Sequence, residues 1–185
     1  MAGVLAPTTV CHTQRIQTPL GPMLAVATSR GLALLEFADR PMLPAQLRRV
    51  ERLCRGTLVE GDHEFIEQAR RELGEYFLGH RDAFTVPLFI DGTPFQTAVW
   101  YQLLSIPFGK TRSYDDIARA INLPGGARAV GRANGDNRIA IIVPCHRVIN
   151  ADGSLSGYGG GKRRKRWLLA HERRGSQLAF EGFDF

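Results

Sequence analysis

The sequence predicts a small α/β domain over residues 1–91, with an antiparallel sheet and helices. A mostly helical domain follows over residues 92–185. Three observations predict this. Short apolar runs punctuated by Gly and Pro crowd residues 16–37. Apolar residues then recur at helical spacing, with N-terminal capping signals repeated in the second half. Charge divides at the same place: residues 1–91 hold 10 Lys and Arg against 11 Asp and Glu, and residues 92–185 hold 14 against 7. A net +7 confined to one half points to a polyanion or an anionic surface.

The elements follow in order. Residues 1–12 read as a loose lead-in. From Ile16 to Phe37 the pattern suits two or three short strands, turned at Pro19–Pro22 and Ser29–Gly31. Pro44 opens a helix through about Cys54, with Leu47, Val50 and Leu53 spaced three apart. A second helix runs from about His63 to Leu78 on Phe65, Ala69, Leu73, Tyr76 and Phe77, and Gly79 stops it. This half offers a core and a scaffold but no set of residues that names a reaction. In the second half, Thr93 caps a helix with Pro94 at its first position and Gln96 completing a capping box. Ser113 and Asp116 form another box ahead of Ile117, Ala118 and Ile121. A turn over 122–126 leads into a short helix over 127–134, so the pair resembles a helix-turn-helix. The last helix starts near Gly161 and reaches Glu172.

Composition narrows the function classes. At 185 residues and 44% hydrophobic, the chain is neither disordered nor fibrous. No apolar run approaches a membrane span, and no export signal opens the chain. Three cysteines, Cys11, Cys54 and Cys145, stand far apart in sequence and leave at least one free thiol, which suits a reducing compartment. They give no metal-ligand spacing.

Several segments carry chemistry. The helix Ala127–Asn134 is thin, and Arg128 and Arg132 share one face, so it can enter a DNA groove with its backbone close to the strand. A small helix packed in a core with two solvated arginines has the same pattern. The run Lys162–Arg166 suits phosphates or a solvated helix start, although cations there oppose the helix dipole. Cys145 follows Pro144 and precedes His146 and Arg147, a setting that can activate a thiol; a buried structural cysteine is the bland alternative. The turn-rich segment from Asp152 to Gly161 lacks a nucleotide fingerprint. With Tyr158 it can wall a flat ligand or form a plain surface loop.

These motifs together carry a resemblance. GTPFQTAVW at 92–100, IPFGKTRSY at 106–114, RAVGRANGDN at 128–137, PCHRVI at 144–149 and GSLSGYGGGKRRKRWLLAHE at 153–172 resemble the O6-methylguanine-DNA methyltransferases. The resemblance implies direct-reversal repair. Cys145 takes the alkyl group irreversibly from O6-alkylguanine, and by the same chemistry from O4-alkylthymine, in one turnover. His146 removes the thiol proton through a water, Glu172 orients His146, and Asn137 braces the turn. Arg128 fills the stack left by an extruded base, with Ala129 and Arg132 beside it on the DNA, and Tyr114 assists rotation of the nucleotide. Tyr114, Asn134, Val148, Tyr158, Gly159 and Gly160 line the alkylguanine pocket. The carbonyls of Cys145 and Val148 accept from the guanine amino group, and Gly159 offers only its backbone N–H toward O6.

The resemblance implies no cofactor and no metal, and double-stranded DNA as partner of a monomer, with cooperative loading left open. Localisation follows the host: cytoplasmic for a microbe, which 21 Arg against 3 Lys favours, and nuclear for a eukaryote. The alternatives are a non-enzymatic alkyl-lesion recognition protein and a helix-turn-helix transcription regulator.

Overall fold

The computed structural model describes residues 9–174. Three strands, β1 (Thr9–Ile16), β2 (Met23–Thr28) and β3 (Gly31–Phe37), form an antiparallel meander. Helix α1 (Leu43–Cys54) then carries the chain across to β4 (Gly56–Glu60), which pairs parallel with β1. The sheet order is β3-β2-β1-β4.

Two of these strands depart from the sequence reading. Thr9–Ile16 is a strand rather than a lead-in, because its pairing to β2 and β4 is long-range. β4 is short and mostly exposed, and its two large apolar residues, Leu58 and Val59, are adjacent, so no buried alternation marks it.

Helix α2 (Glu64–Phe77) packs on the sheet. His63 caps it by accepting from the Phe65 amide at 3.2 Å, and Gly79 ends it in the left-handed region at φ 74°.

The second half holds α3 (Pro94–Leu104), α4 (Tyr114–Ala120), α5 (Ala127–Gly135) and α6 (Lys162–Arg174). Thr93 with Gln96 and Ser113 with Asp116 both form complete capping boxes. The Trp100 indole N–H donates to the Ala133 carbonyl at 2.8 Å and fixes α3 against α5. Two short parallel strands, β5 (Arg112–Ser113) and β6 (Val148–Ile149), tie the start of α4 to the chain after Cys145.

One continuous core joins the halves: Ile16, Leu35, Phe37 and Tyr76 pack with Leu103, Ile139, Cys145 and Leu168. The outer edge of β3 is not left open. Residues 87–89 pair with Leu32, and residues 138–140 pair with Leu35 through Leu35 N–H to Arg138 O at 2.8 Å and Ala140 N–H to Leu35 O at 2.7 Å. An edge strand needs such cover. Here the cover is the chain leading into Cys145, so the sheet of the first half anchors the reactive turn of the second.

Candidate active site

The turn over residues 137–145 is held by one side chain. Asn137 follows α5. Its Oδ1 accepts from the Ile139 amide at 3.0 Å, and its Nδ2 donates to the Val143 carbonyl at 2.9 Å. The same Nδ2 points at the Cys145 Sγ at 3.1 Å. The turn forces Ile141 to φ 71°, a conformation a β-branched residue avoids. Cys145, His146 and Arg147 then form a single 3-10 turn. Asn137 therefore braces the turn and also touches the sulfur.

Glu172 is the hub behind that turn. It is 4% exposed, so an end-of-helix surface acid is excluded. The His146 Nε2 lies 2.7 Å from its Oε1. The Tyr76 hydroxyl donates to the same oxygen at 2.9 Å. Arg147 donates to both carboxylate oxygens, at 2.9 and 3.0 Å, and the Gly109 amide adds a bond at 3.2 Å. Burial alone would raise this carboxyl, but the hydrogen bonds from His146 and Arg147 and the Arg147 charge outweigh it and hold it at about 2.

An ionised carboxylate on Nε2 requires the proton there, which leaves Nδ1 as the acceptor nitrogen of His146. That Nδ1 is buried and has no hydrogen-bond partner among the described residues. Burial lowers the His146 pKa despite Glu172, so the ring is neutral at pH 7.

The thiol itself departs from expectation. Cys145 is 6% exposed, and desolvation pushes it up to about 11. Its neighbour Arg147 does not stabilise a thiolate, because its guanidinium is spent on Glu172 and on the Ile106 carbonyl at 2.6 Å. The site holds a protonated thiol beside a neutral, correctly tautomerised imidazole. Burial thus disfavours a standing thiolate in the resting site.

Cys145 opens into a groove of about 950 Å³. Tyr114, Arg128, Arg132, Asn134, Tyr158, Gly159 and Gly160 all line it. Arg128 and Arg132 stand exposed at its rim on α5. The Tyr114 hydroxyl bonds Ser156 Oγ at 2.6 Å. Asn134 donates to the Cys145 carbonyl at 3.3 Å, while its Oδ1 and the Tyr158 hydroxyl are buried without partners among the described residues. Unpaired polar groups beside a cavity are where a polar ligand recovers hydrogen bonds.

Two expected residues stand apart. Ala129 is half-buried on α5 and does not line the groove. Val148 is fully buried, and its carbonyl already accepts from the Lys165 ammonium at 2.6 Å.

Sequence reasoning missed several groups. Tyr76, on α2, reaches Glu172 across 96 positions. Glu36, Arg40, Pro41 and Met42 supply a groove wall from the first half, so that half is more than a scaffold. The basic run 162–166 also divides. Lys165 turns inward to Val148 and to Ser156, and burial lowers its pKa to about 8. Arg164 pairs with Asp39 and lies over the Phe37 ring at 4.1 Å. Hydrophobic spacing carries no signal for these contacts, since each joins distant segments.

Comparison with known proteins agrees with this geometry. Residues 94–174 match the family model described as 6-O-methylguanine DNA methyltransferase, DNA binding domain. Residues 12–90 match the one described as 6-O-methylguanine DNA methyltransferase, ribonuclease-like domain. A methylated-DNA–protein-cysteine methyltransferase of Mycolicibacterium paratuberculosis is 47% identical over 83% of this chain and 94% of its own length. An inducible enzyme of the same name from Bacillus subtilis is 43% identical over 81% and 83%. The crystal structure of Mycobacterium tuberculosis O6-methylguanine methyltransferase superposes with a TM-score of 0.77 at 43% identity, covering 91% of this chain and 96% of that one. A second structure from that organism, described as OGT in complex with DNA, gives 0.76 at 43% identity over 89% and 93%. On both halves of its sequence and on its fold, the chain belongs to the 6-O-methylguanine-DNA methyltransferase family.

Proposed function

We propose that this protein repairs O6-alkylguanine in double-stranded DNA by moving the alkyl group irreversibly to its own Cys145. The carrying observation is the line Cys145–His146–Glu172: a thiol on a braced turn, an imidazole with a free Nδ1, and a buried carboxylate on the other ring nitrogen. His146 takes the thiol proton through a water. The imidazolium so formed faces an anion, which favours the transfer. The Sγ lone pair then attacks the alkyl carbon. The carbon–O6 bond breaks with its electrons staying on the purine, and the proton returns to a purine nitrogen. The product is a thioether that nothing in the site reverses, so one molecule serves one lesion.

An O6 substituent inside a duplex cannot reach a sulfur this deeply set, so the base must leave the stack. Arg128, exposed at the groove rim, fills the gap on this reading. Residues 1–91 serve as a scaffold that also walls the groove through Glu36, Arg40, Pro41 and Met42, and residues 92–185 as the DNA-binding and acceptor domain. No helix among the described residues is long and apolar enough to cross a membrane, and the microbial relatives support work in the cytoplasm.

Duplexes carrying a labelled O6-methyl group test this reading. The expected result is transfer of label to protein, saturating at one methyl per chain. Folded protein that takes up no label contradicts it.

A further inference from the structure

Gly159 packs directly against the Arg40 guanidinium, and both line the groove that exposes Cys145. Its φ demands no glycine. Space does: a Cβ built there would overlap the Arg40 guanidinium. Arg40 comes from the other half of the chain, just after β3. It is 9% exposed and firmly held. It pairs with the fully buried Glu36, and it donates to the Gly135 carbonyl at 2.6 Å and to the Asn137 carbonyl at 3.3 Å. Glu36 is in turn fixed by the Phe37 amide at 2.9 Å.

We infer that Arg40 is a specificity-determining residue: its guanidinium occupies the volume that a side chain at position 159 would fill, and so sets which O6 substituents fit beside Cys145. This rests on the alkyl-transfer reading above. A side chain at 159 and an arginine at 40 exclude each other, so the two positions form one wall contributed by both halves. Methyl and other small alkyl groups fit past a fixed guanidinium. Bulky arylmethyl groups must displace it, which breaks the Glu36 pair and leaves a buried carboxylate uncompensated.

The test compares transfer rates from O6-methylguanine and O6-benzylguanine in the same duplex sequence. The proteins are the wild type, Arg40→Ala, Glu36→Gln/Arg40→Ala, Gly159→Ser and Gly159→Ser/Arg40→Ala. The double change at 36 and 40 leaves a neutral, hydrogen-bonded side chain at 36, so it reports even if Arg40→Ala unfolds.

The benzyl-to-methyl rate ratio is expected to rise about tenfold or more without Arg40, the scale on which pocket shape discriminates small groups. Gly159→Ser is expected to slow transfer in the wild-type background and to cost much less beside Arg40→Ala. A purely structural role for Arg40 would slow both substrates alike. An unchanged ratio in the folded Arg40 variants, or an equal cost of Gly159→Ser in both backgrounds, overturns the inference. If the wild type transfers no methyl at all, the proposed function fails instead.

Discussion

Two thiol sites in this chain invite comparison. Cys11 on β1 and Cys54 at the end of α1 lie together in an apolar cluster with Val26, Leu34 and Val50. Burial raises both, Cys54 to about 12. Cys145 is buried as well and raised to about 11. Desolvation therefore does not separate the sites. What separates them is what stands beside the sulfur. Cys145 has Asn137 at 3.1 Å, an adjacent imidazole tied to a carboxylate, and a groove. None of Cys11, Cys54 and their apolar neighbours lines that groove. On the proposed mechanism, reactivity comes from a proton route and an approach path rather than from a depressed thiol pKa.

That contrast can be broken at several points. The largest effect is expected from Cys145→Ser, which should abolish transfer while leaving much of the DNA binding. Serine at both 11 and 54 should leave the transfer rate intact. Next, His146→Ala should slow transfer by roughly 10²–10⁴-fold, the usual worth of a positioned base. Because burial lowers the His146 pKa, the wild-type rate should stay level from pH 7 downward and fall only below the ordinary histidine value. Single-turnover rates across pH check both points; a His146→Ala variant with the wild-type rate would remove the base from the mechanism.

Arg128→Ala should slow transfer from duplex DNA by about tenfold, equal to about 1.4 kcal/mol, while sparing transfer from the free alkylguanine base. Equal loss on both substrates would rule out a role in extrusion. A smaller effect on transfer is expected from Tyr76→Phe, which removes one donor to Glu172 and acts mainly on stability. It should cost about 2 kcal/mol of stability, typical of a hydrogen bond to a charged group. Glu172 is held at about 2 against an ordinary 4.5. A lowered carboxyl stabilises the fold fully above its unfolded pKa and loses that contribution as pH falls from 4.5 toward 2. Urea unfolding across that window should show a shallower acid loss in Tyr76→Phe than in wild type.

Much of this was legible in sequence, for local reasons. The capping boxes at Thr93 and Ser113 and the spacing of Phe65, Leu73 and Phe77 placed helices because those signals act within one turn. Cys145, His146 and Asn137 fall within one short stretch. The misses share one cause. β4 and the first strand depend on pairing, Tyr76 on a bond spanning 96 positions, and Arg40 on contacts to residues about a hundred positions away. The basic run misled because composition does not show which charges fold inward; Lys165 does, and Arg164 bridges to Asp39.

Peptide mapping of the protein after reaction with DNA containing O6-methylguanine tests the central claim most directly. The expected result is one added methyl group, found only on the peptide carrying Cys145, with Cys11 and Cys54 unmodified. A methyl group on either of those two thiols, or none on Cys145 in folded protein, would contradict it.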